Sequence, residues 1–161
     1  HLVRVYRLAY GVPGVSLRFF TVFGSRQRPD MAFHRFFEMA RRHRPIPVYG
    51  DGSQKRDFTH VSDIVQGLLA AADPEVPGEV YNLGGGSPVV LSEALREIEE
   101  VSGIPLQVRR KALPVGDPSS TWADTRRAAT DLGFRPEVRL RQGLEEQWAW
   151  HHARGPDAPG T

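Results

Sequence analysis

Apolar positions along the chain recur in two ways, at helical spacing in some stretches and almost without interruption in others. Leu2, Val5 and Leu8, with Ala9 closing the face, predict a helix at the very start. The turn-forming Gly11-Val12-Pro13-Gly14 comes next, and residues 15–23 are a run of branched and aromatic side chains that predicts a buried strand ending at Gly24. A helix, a short turn and an apolar strand make half of a parallel α/β unit. Phe33, Phe36, Phe37 and Ala40 stand at i, i+3, i+4 and i+7, which predicts an amphipathic helix. Asp30 is its expected cap, and Arg41, Arg42 and Arg44 lie at the end where the helix dipole favours cations.

Residues 46–49 and 56–61 read as two short strands around Gly50-Asp51-Gly52-Ser53, a hairpin-like excursion. Ile64, Val65, Leu68, Leu69 and Ala72 predict a further helix, stopped by Pro74 and Pro77. A strand over 79–83 runs into Gly84-Gly85-Gly86. Leu91, Ala94, Leu95, Ile98 and Val101 form a helix face closed by Gly103, and an edge strand is expected over 106–109. A loop through Pro114 and Pro118 leads to a short helix capped by Asp124 and a last helix marked by Leu140, Leu144 and Trp148. Residues 155–161 are expected to fray. The pattern as a whole is α/β: one strand–helix unit in front and a smaller mixed lobe behind.

Composition narrows the function classes. The 161 residues carry 21 Lys plus Arg against 19 Asp plus Glu, and so small a surplus, unclustered, argues against nucleic acid as a partner. No apolar run approaches the roughly 18 residues of a membrane-crossing helix, so no membrane partner is expected. Cysteine is absent, which removes disulfides, thiolate nucleophiles and Cys-ligated zinc, and fits a reducing compartment.

Few residue groups suggest chemistry unaided. Gly84-Gly85-Gly86 lies between a strand and a helix but matches neither G-x-G-x-x-G nor a P-loop, and reads as a plain turn. His34, His43, His60, His151 and His152 contain no H-x-x-x-H pair, so no metal is expected, and there is no G-x-S-x-G. The arginines say more. Arg56 opens a strand beside apolar neighbours, where a guanidinium suits a phosphate or carboxylate, or equally a salt bridge to Asp51, Asp57 or Asp63. Arg26 and Arg28 sit beyond the C-terminal end of a parallel-type strand, where open α/β sheets bind ligands.

Three strings then stand together: Leu17-Arg18-Phe19-Phe20-Thr21-Val22-Phe23-Gly24, Arg28-Pro29-Asp30-Met31-Ala32-Phe33, and residues 48–63 from Val48-Tyr49-Gly50-Asp51-Gly52 through Arg56-Asp57-Phe58-Thr59-His60 to Asp63. With Asn82-Leu83-Gly84, Gly116-Asp117, Thr121-Trp122-Ala123-Asp124 and Leu132-Gly133-Phe134-Arg135-Pro136 in the same order, the chain resembles the extended short-chain dehydrogenase/reductases, and within them the nucleotide-sugar 4-epimerases. The resemblance covers nearly the whole chain, to about His152.

That resemblance implies a Rossmann-type extended fold of which this chain is the C-terminal part. Residues 1–24 would end the NAD-binding Rossmann domain, and 25–154 would be mainly a substrate-binding lobe with one returning strand–helix segment. Phe19, Phe20 and Val22 would lie near NAD, and Thr21 would face the sugar. Thr21 with Arg28 seven residues on is similar to the UDP-glucuronate 4-epimerases, where these positions face the uronate carboxylate, while UDP-glucose and UDP-galactose stay open. Arg56 would grip the diphosphate, Val48 and Tyr49 would run along the uracil, and Asp117 would lie near the ribose. Pro114 occupies the place of an arginine usual in the family, so a phosphate contact would be lost or supplied by Arg109 or Arg110.

Such enzymes oxidise C4 of the sugar by hydride transfer to NAD⁺, turn the 4-keto intermediate and return the hydride to its other face. Their glycine-rich fingerprint and Tyr-x-x-x-Lys pair would precede residue 1, so no catalytic residue is expected here and the chain alone should be inactive. The resemblance further implies a UDP-sugar partner, a cytoplasmic location and a homodimeric complete enzyme. A 4,6-dehydratase or decarboxylase of the same superfamily, or a binding module without catalysis, remains an alternative.

Overall fold

The computed structural model describes residues 1–154 except Pro74, Gly78 and Glu79, so the expected helix stop at Pro74, the strand start at residue 79 and the fraying tail lie outside the described residues. Helix α1 (Leu2–Tyr10) closes at Gly11, whose φ of 66° is the left-handed conformation glycine adopts without strain. The 15–23 run is two strands rather than one. Strand β1 (Ser16–Phe19) and strand β2 (Val22–Phe23) part at Phe20 and Thr21, where the pairing partner changes.

Strand β1 runs parallel to β6 (Val80–Leu83), and β2 runs parallel to β5 (Thr59–His60). Helix α2 (Ala32–Arg41) buries Phe33, Phe36, Phe37 and Ala40 as its spacing demands. Its cap position is Met31, with no side-chain bond, because Asp30 is bound to Arg28 instead. The hairpin-like excursion does not form. Strand β3 (Ile46–Tyr49) pairs in parallel with β8 (Val108–Lys111), two residues beyond the predicted 106–109. Strand β4 (Lys55–Arg56) lies between β7 (Val89–Val90) and β9 (Ser120–Thr121). The glycine turn between β3 and β4 redirects the chain from one sheet to another instead of folding it back; Gly50 and Gly52 both take positive φ there.

Helix α3 (Val61–Ala71) buries Asp63, Ile64 and Gly67, while Val65, Leu68 and Leu69 from its predicted apolar face stay exposed. Helix α4 (Leu91–Ser102) buries Ala94, Leu95 and Ile98. Helix α5 (Arg126–Leu132) has Thr125 at its cap position rather than the expected Asp124, which stands one place ahead, yet Asp124 Oδ1 accepts the Arg126 N–H at 3.2 Å. Helix α6 (Leu140–Ala153) sets Leu144 wholly inside. One core gathers the α2 phenylalanines, β3, α4 and Leu144; a second joins Ile64, Tyr81, Leu83, Ala128 and Phe134. No helix among the described residues is long and apolar enough to cross a membrane.

Candidate functional site

The site begins with the loop after β2. Gly24 takes φ 129°, and a Cβ there would also meet His60 Nε2 and Val61 Cγ1 at 2.9 Å, so both backbone and packing require glycine. Arg26 adopts φ 63°, a conformation non-glycine residues seldom hold without support. The support is a chain of amides. The Gly24 N–H donates to Gln147 Oε1 at 3.1 Å, Gln147 Nε2 donates to Gln27 Oε1 at 3.0 Å, and Gln27 Nε2 donates to Val22 O at 2.7 Å. Gln147 is fully buried. Neither glutamine stands out as chemistry in the sequence, but Gln147 falls three residues after Leu144 on the inward face of α6. A polar side chain there must find partners.

Two clefts meet at Thr21. The first, of about 530 Å³, is walled by Phe19, Thr21, Val22, Arg26 and Arg28. Phe19 is half exposed at the C-terminal end of its parallel strand and presents an open apolar surface. The second, of about 260 Å³, is walled by Thr21, Val48, Tyr49, Arg56 and Asp117. Eight of the nine residues singled out from the sequence therefore line one of two adjoining cavities. Phe20 is the exception: it lines neither, and its N–H donates to Leu83 O at 3.1 Å. Val48 is buried within the main core, so Tyr49 is the more accessible of that pair.

Arg56 and Asp117 form an ion pair at 2.7 Å across 61 residues of sequence. None of the anticipated partners Asp51, Asp57 or Asp63 takes the guanidinium. Gly116, at φ 87°, and the Asp117 N–H bond to Pro114 O at 3.2 Å shape the turn that presents the carboxylate. Arg28 is held by Asp30 through two bonds, Nε to Oδ1 at 3.1 Å and Nη2 to Oδ2 at 2.8 Å. The Arg28 bond is the main cause that holds the Asp30 carboxyl below its ordinary range.

Neither Arg109 nor Arg110 lines the clefts. The register of β8 on β3 sets Lys111 opposite Tyr49, and its Nζ lies 6.0 Å from that ring. The Gly84-Gly85-Gly86 turn after β6 is occupied by the chain itself: Asp57, fully buried, accepts from Ala123 N at 3.0 Å and Gly86 N at 3.4 Å. A carboxylate already fills the place a phosphate would need.

The sequence reading missed one further group. His34 and Glu38 on α2 meet His151 on α6, each offering a ligand atom within 4.8 Å of the others. Histidine-to-histidine spacing does not register a set that mixes in a glutamate and brings His151 to Glu38 across 113 residues of sequence.

Comparison with known proteins connects these features. The profile of the NAD dependent epimerase/dehydratase family matches residues 1–84. YtcB of Bacillus subtilis, described as an uncharacterised UDP-glucose epimerase, is 41% identical over 92% of this chain and 48% of its own length. The UDP-glucuronate 4-epimerase of Thermodesulfobacterium geofontis is 34% identical over 90% of this chain and 45% of its own. A crystal structure of the UDP-glucuronic acid 4-epimerase from Bacillus cereus, in complex with UDP-glucuronic acid and NAD, superposes with a TM-score of 0.90 at 38% identity. It covers 95% of this chain and 49% of that one. The chain thus spans about half the length of the relatives it matches, with the mixed α/β architecture of Rossmann-type extended reductases. It belongs to the NAD dependent epimerase/dehydratase family.

Proposed function

We propose that the chain is the nucleotide-sugar-binding portion of an NAD-dependent UDP-sugar 4-epimerase acting on UDP-glucuronate or UDP-glucose/galactose. The observation that carries this reading is the second cleft, where Arg56 and Asp117, 61 residues apart in sequence, converge beside Tyr49 and Thr21. A guanidinium, which offers five N–H donors, suits a diphosphate, an adjacent carboxylate suits ribose hydroxyls, and an exposed ring suits a base. In this reading residues 1–24 end the NAD-binding domain and 25–154 form most of the substrate lobe, with the returning strand β6 supported by its pairing to β1. The complete enzyme is a cytoplasmic homodimer.

Phe19 and Val22 suit the flat face of a nicotinamide, since both wall the first cleft and Phe19 is half exposed. NAD, when bound there, supplies the acceptor and donor of hydride at C4 of the sugar. This chain's residues hold the rest of the substrate still. Arg56 and Tyr49 anchor the nucleotide while the sugar ring turns beside Thr21, and the anchor keeps the turned sugar from leaving. The 161 residues contain neither G-x-x-G-x-x-G nor Tyr-x-x-x-Lys, so by themselves they bind without converting.

Calorimetry with UDP tests the reading. Arg56→Ala is expected to weaken UDP binding about 10–100-fold, the range for loss of a charge-assisted hydrogen bond. Unchanged affinity rejects both the epimerase and a binding module without catalysis. Those two separate in an assay of the polypeptide that includes the Tyr-x-x-x-Lys motif, where an epimerase interconverts UDP-sugars and a binding module does not.

A further inference from the structure

We infer that Arg35 is a further binding residue of the second cleft, the cation that meets the diphosphate of a UDP-sugar; the inference rests on the nucleotide-sugar reading and concerns the same cleft. Helix α2 presents Ala32, Arg35 and Phe36 to that cleft, at i, i+3 and i+4 on one face. Phe36 is buried there, and Arg35 is exposed at the wall.

The balance of charge in the cleft singles Arg35 out. The walls carry two guanidinium groups, Arg35 and Arg56, and two carboxylates, Asp30 and Asp117. Both carboxylates are engaged already. Asp30 accepts two hydrogen bonds from Arg28, and Asp117 accepts one from Arg56 at 2.7 Å. Arg56 spends another donor on Lys55 O at 2.9 Å. A phosphate that approaches Arg56 therefore also meets the repulsion of Asp117 beside it. The side chain of Arg35, by contrast, makes no hydrogen bond or ion pair among the described residues. Each phosphoryl group of a UDP-sugar carries a negative charge, whichever sugar follows, and one internally compensated ion pair does not balance both. An unpaired guanidinium on the same wall does, and its fork can take two phosphate oxygens.

Arg35 also borders a cavity of about 300 Å³ between α2 and α6. A cation is poorly placed on that side. Arg42 and Arg44 line the cavity, and its carboxylate, Glu38, already has Arg42 at 3.4 Å and Arg41 at 3.9 Å. Repulsion from these neighbours directs the long Arg35 side chain toward the cleft and its anionic ligand.

Calorimetry of the chain with UDP at two salt concentrations tests the assignment. Arg35→Gln keeps a good helix former at an exposed position, so the far-ultraviolet dichroism should not change. The variant is expected to bind UDP about tenfold more weakly and to lose less affinity with added salt than the wild type. Arg35→Lys keeps the charge without the fork and should recover part of the affinity. Arg44→Gln, outside the cleft, should bind UDP as the wild type does. Wild-type affinity in Arg35→Gln overturns the inference; so does an equal loss in Arg44→Gln, because a general positive potential would then account for both. A loss seen with UDP-glucuronate and absent with UDP overturns it as well, since Arg35 would then meet the uronate carboxylate. If Arg56→Ala weakens UDP binding and Arg35→Gln does not, the nucleotide-sugar reading stands and this inference alone fails. A wild-type chain that does not bind UDP removes both.

Discussion

Arg28 cannot serve two carboxylates at once. Its guanidinium is paired with Asp30 through two hydrogen bonds, yet the side chains are 75% and 66% exposed. So exposed a pair is weak and readily screened by salt, which makes Asp30 a placeholder that a better-desolvated ligand carboxylate can displace. A uronate at the Thr21 junction would be such a ligand, whereas the neutral hydroxymethyl group of glucose would not. In the complete enzyme, Arg28→Ala is expected to lower kcat/KM for UDP-glucuronate about tenfold or more and to leave UDP-glucose nearly unchanged. Equal losses on both substrates would remove the carboxylate role. At this scale the sequence was informative for the residues that carry family motifs, and eight of nine line the clefts. It was silent on what binds them in the free protein, because the Arg56–Asp117 pair joins positions 61 apart.

The glycine turn after β6 shows how elements are locked together. A Cβ on Gly85 would stand 2.3 Å from Phe58 O and 2.9 Å from Asp57 Oδ1, and a backbone carbonyl cannot rotate away. Gly86 has a positive φ, but a Cβ added there would meet nothing within 4 Å. Gly85→Ala should therefore cost at least the roughly 1–3 kcal/mol of overpacking, and more than Gly86→Ala, which carries only about 1–2 kcal/mol of left-handed strain. Urea unfolding of the two variants checks the order; a Gly86→Ala loss equal to or larger than that of Gly85→Ala would contradict it. Elements with a self-contained period were legible, α2 above all, because its stripe depends only on its own spacing. The split of 15–23 and the missing hairpin were not. Both depend on which distant strand supplies hydrogen bonds, β6 or β5 in one case and β8 in the other, and local pattern holds no record of a partner.

Across the molecule, apolar surface is distributed unevenly. Helix α1 buries none of its residues, with Leu2 and Leu8 each 75% exposed, and α3 leaves Leu69 at 65% together with Val65 and Leu68. The periodicity of both helices is sound, so the pattern forecast helices correctly and also forecast apolar faces that the described residues do not cover. Each large aliphatic side chain left in water forgoes about 1.5–3 kcal/mol of possible burial, and contiguous surfaces of this kind drive association. On its own, the chain is expected to self-associate with rising concentration in sedimentation velocity and to bind a hydrophobic dye. Leu8→Lys combined with Leu69→Lys should reduce both, while UDP affinity stays as in the parent chain because neither residue lines a cleft. A wild-type chain that remains monomeric and dye-free at high concentration would mean that these faces are covered in solution. A double variant that lost UDP binding would mean instead that α1 and α3 support the clefts directly.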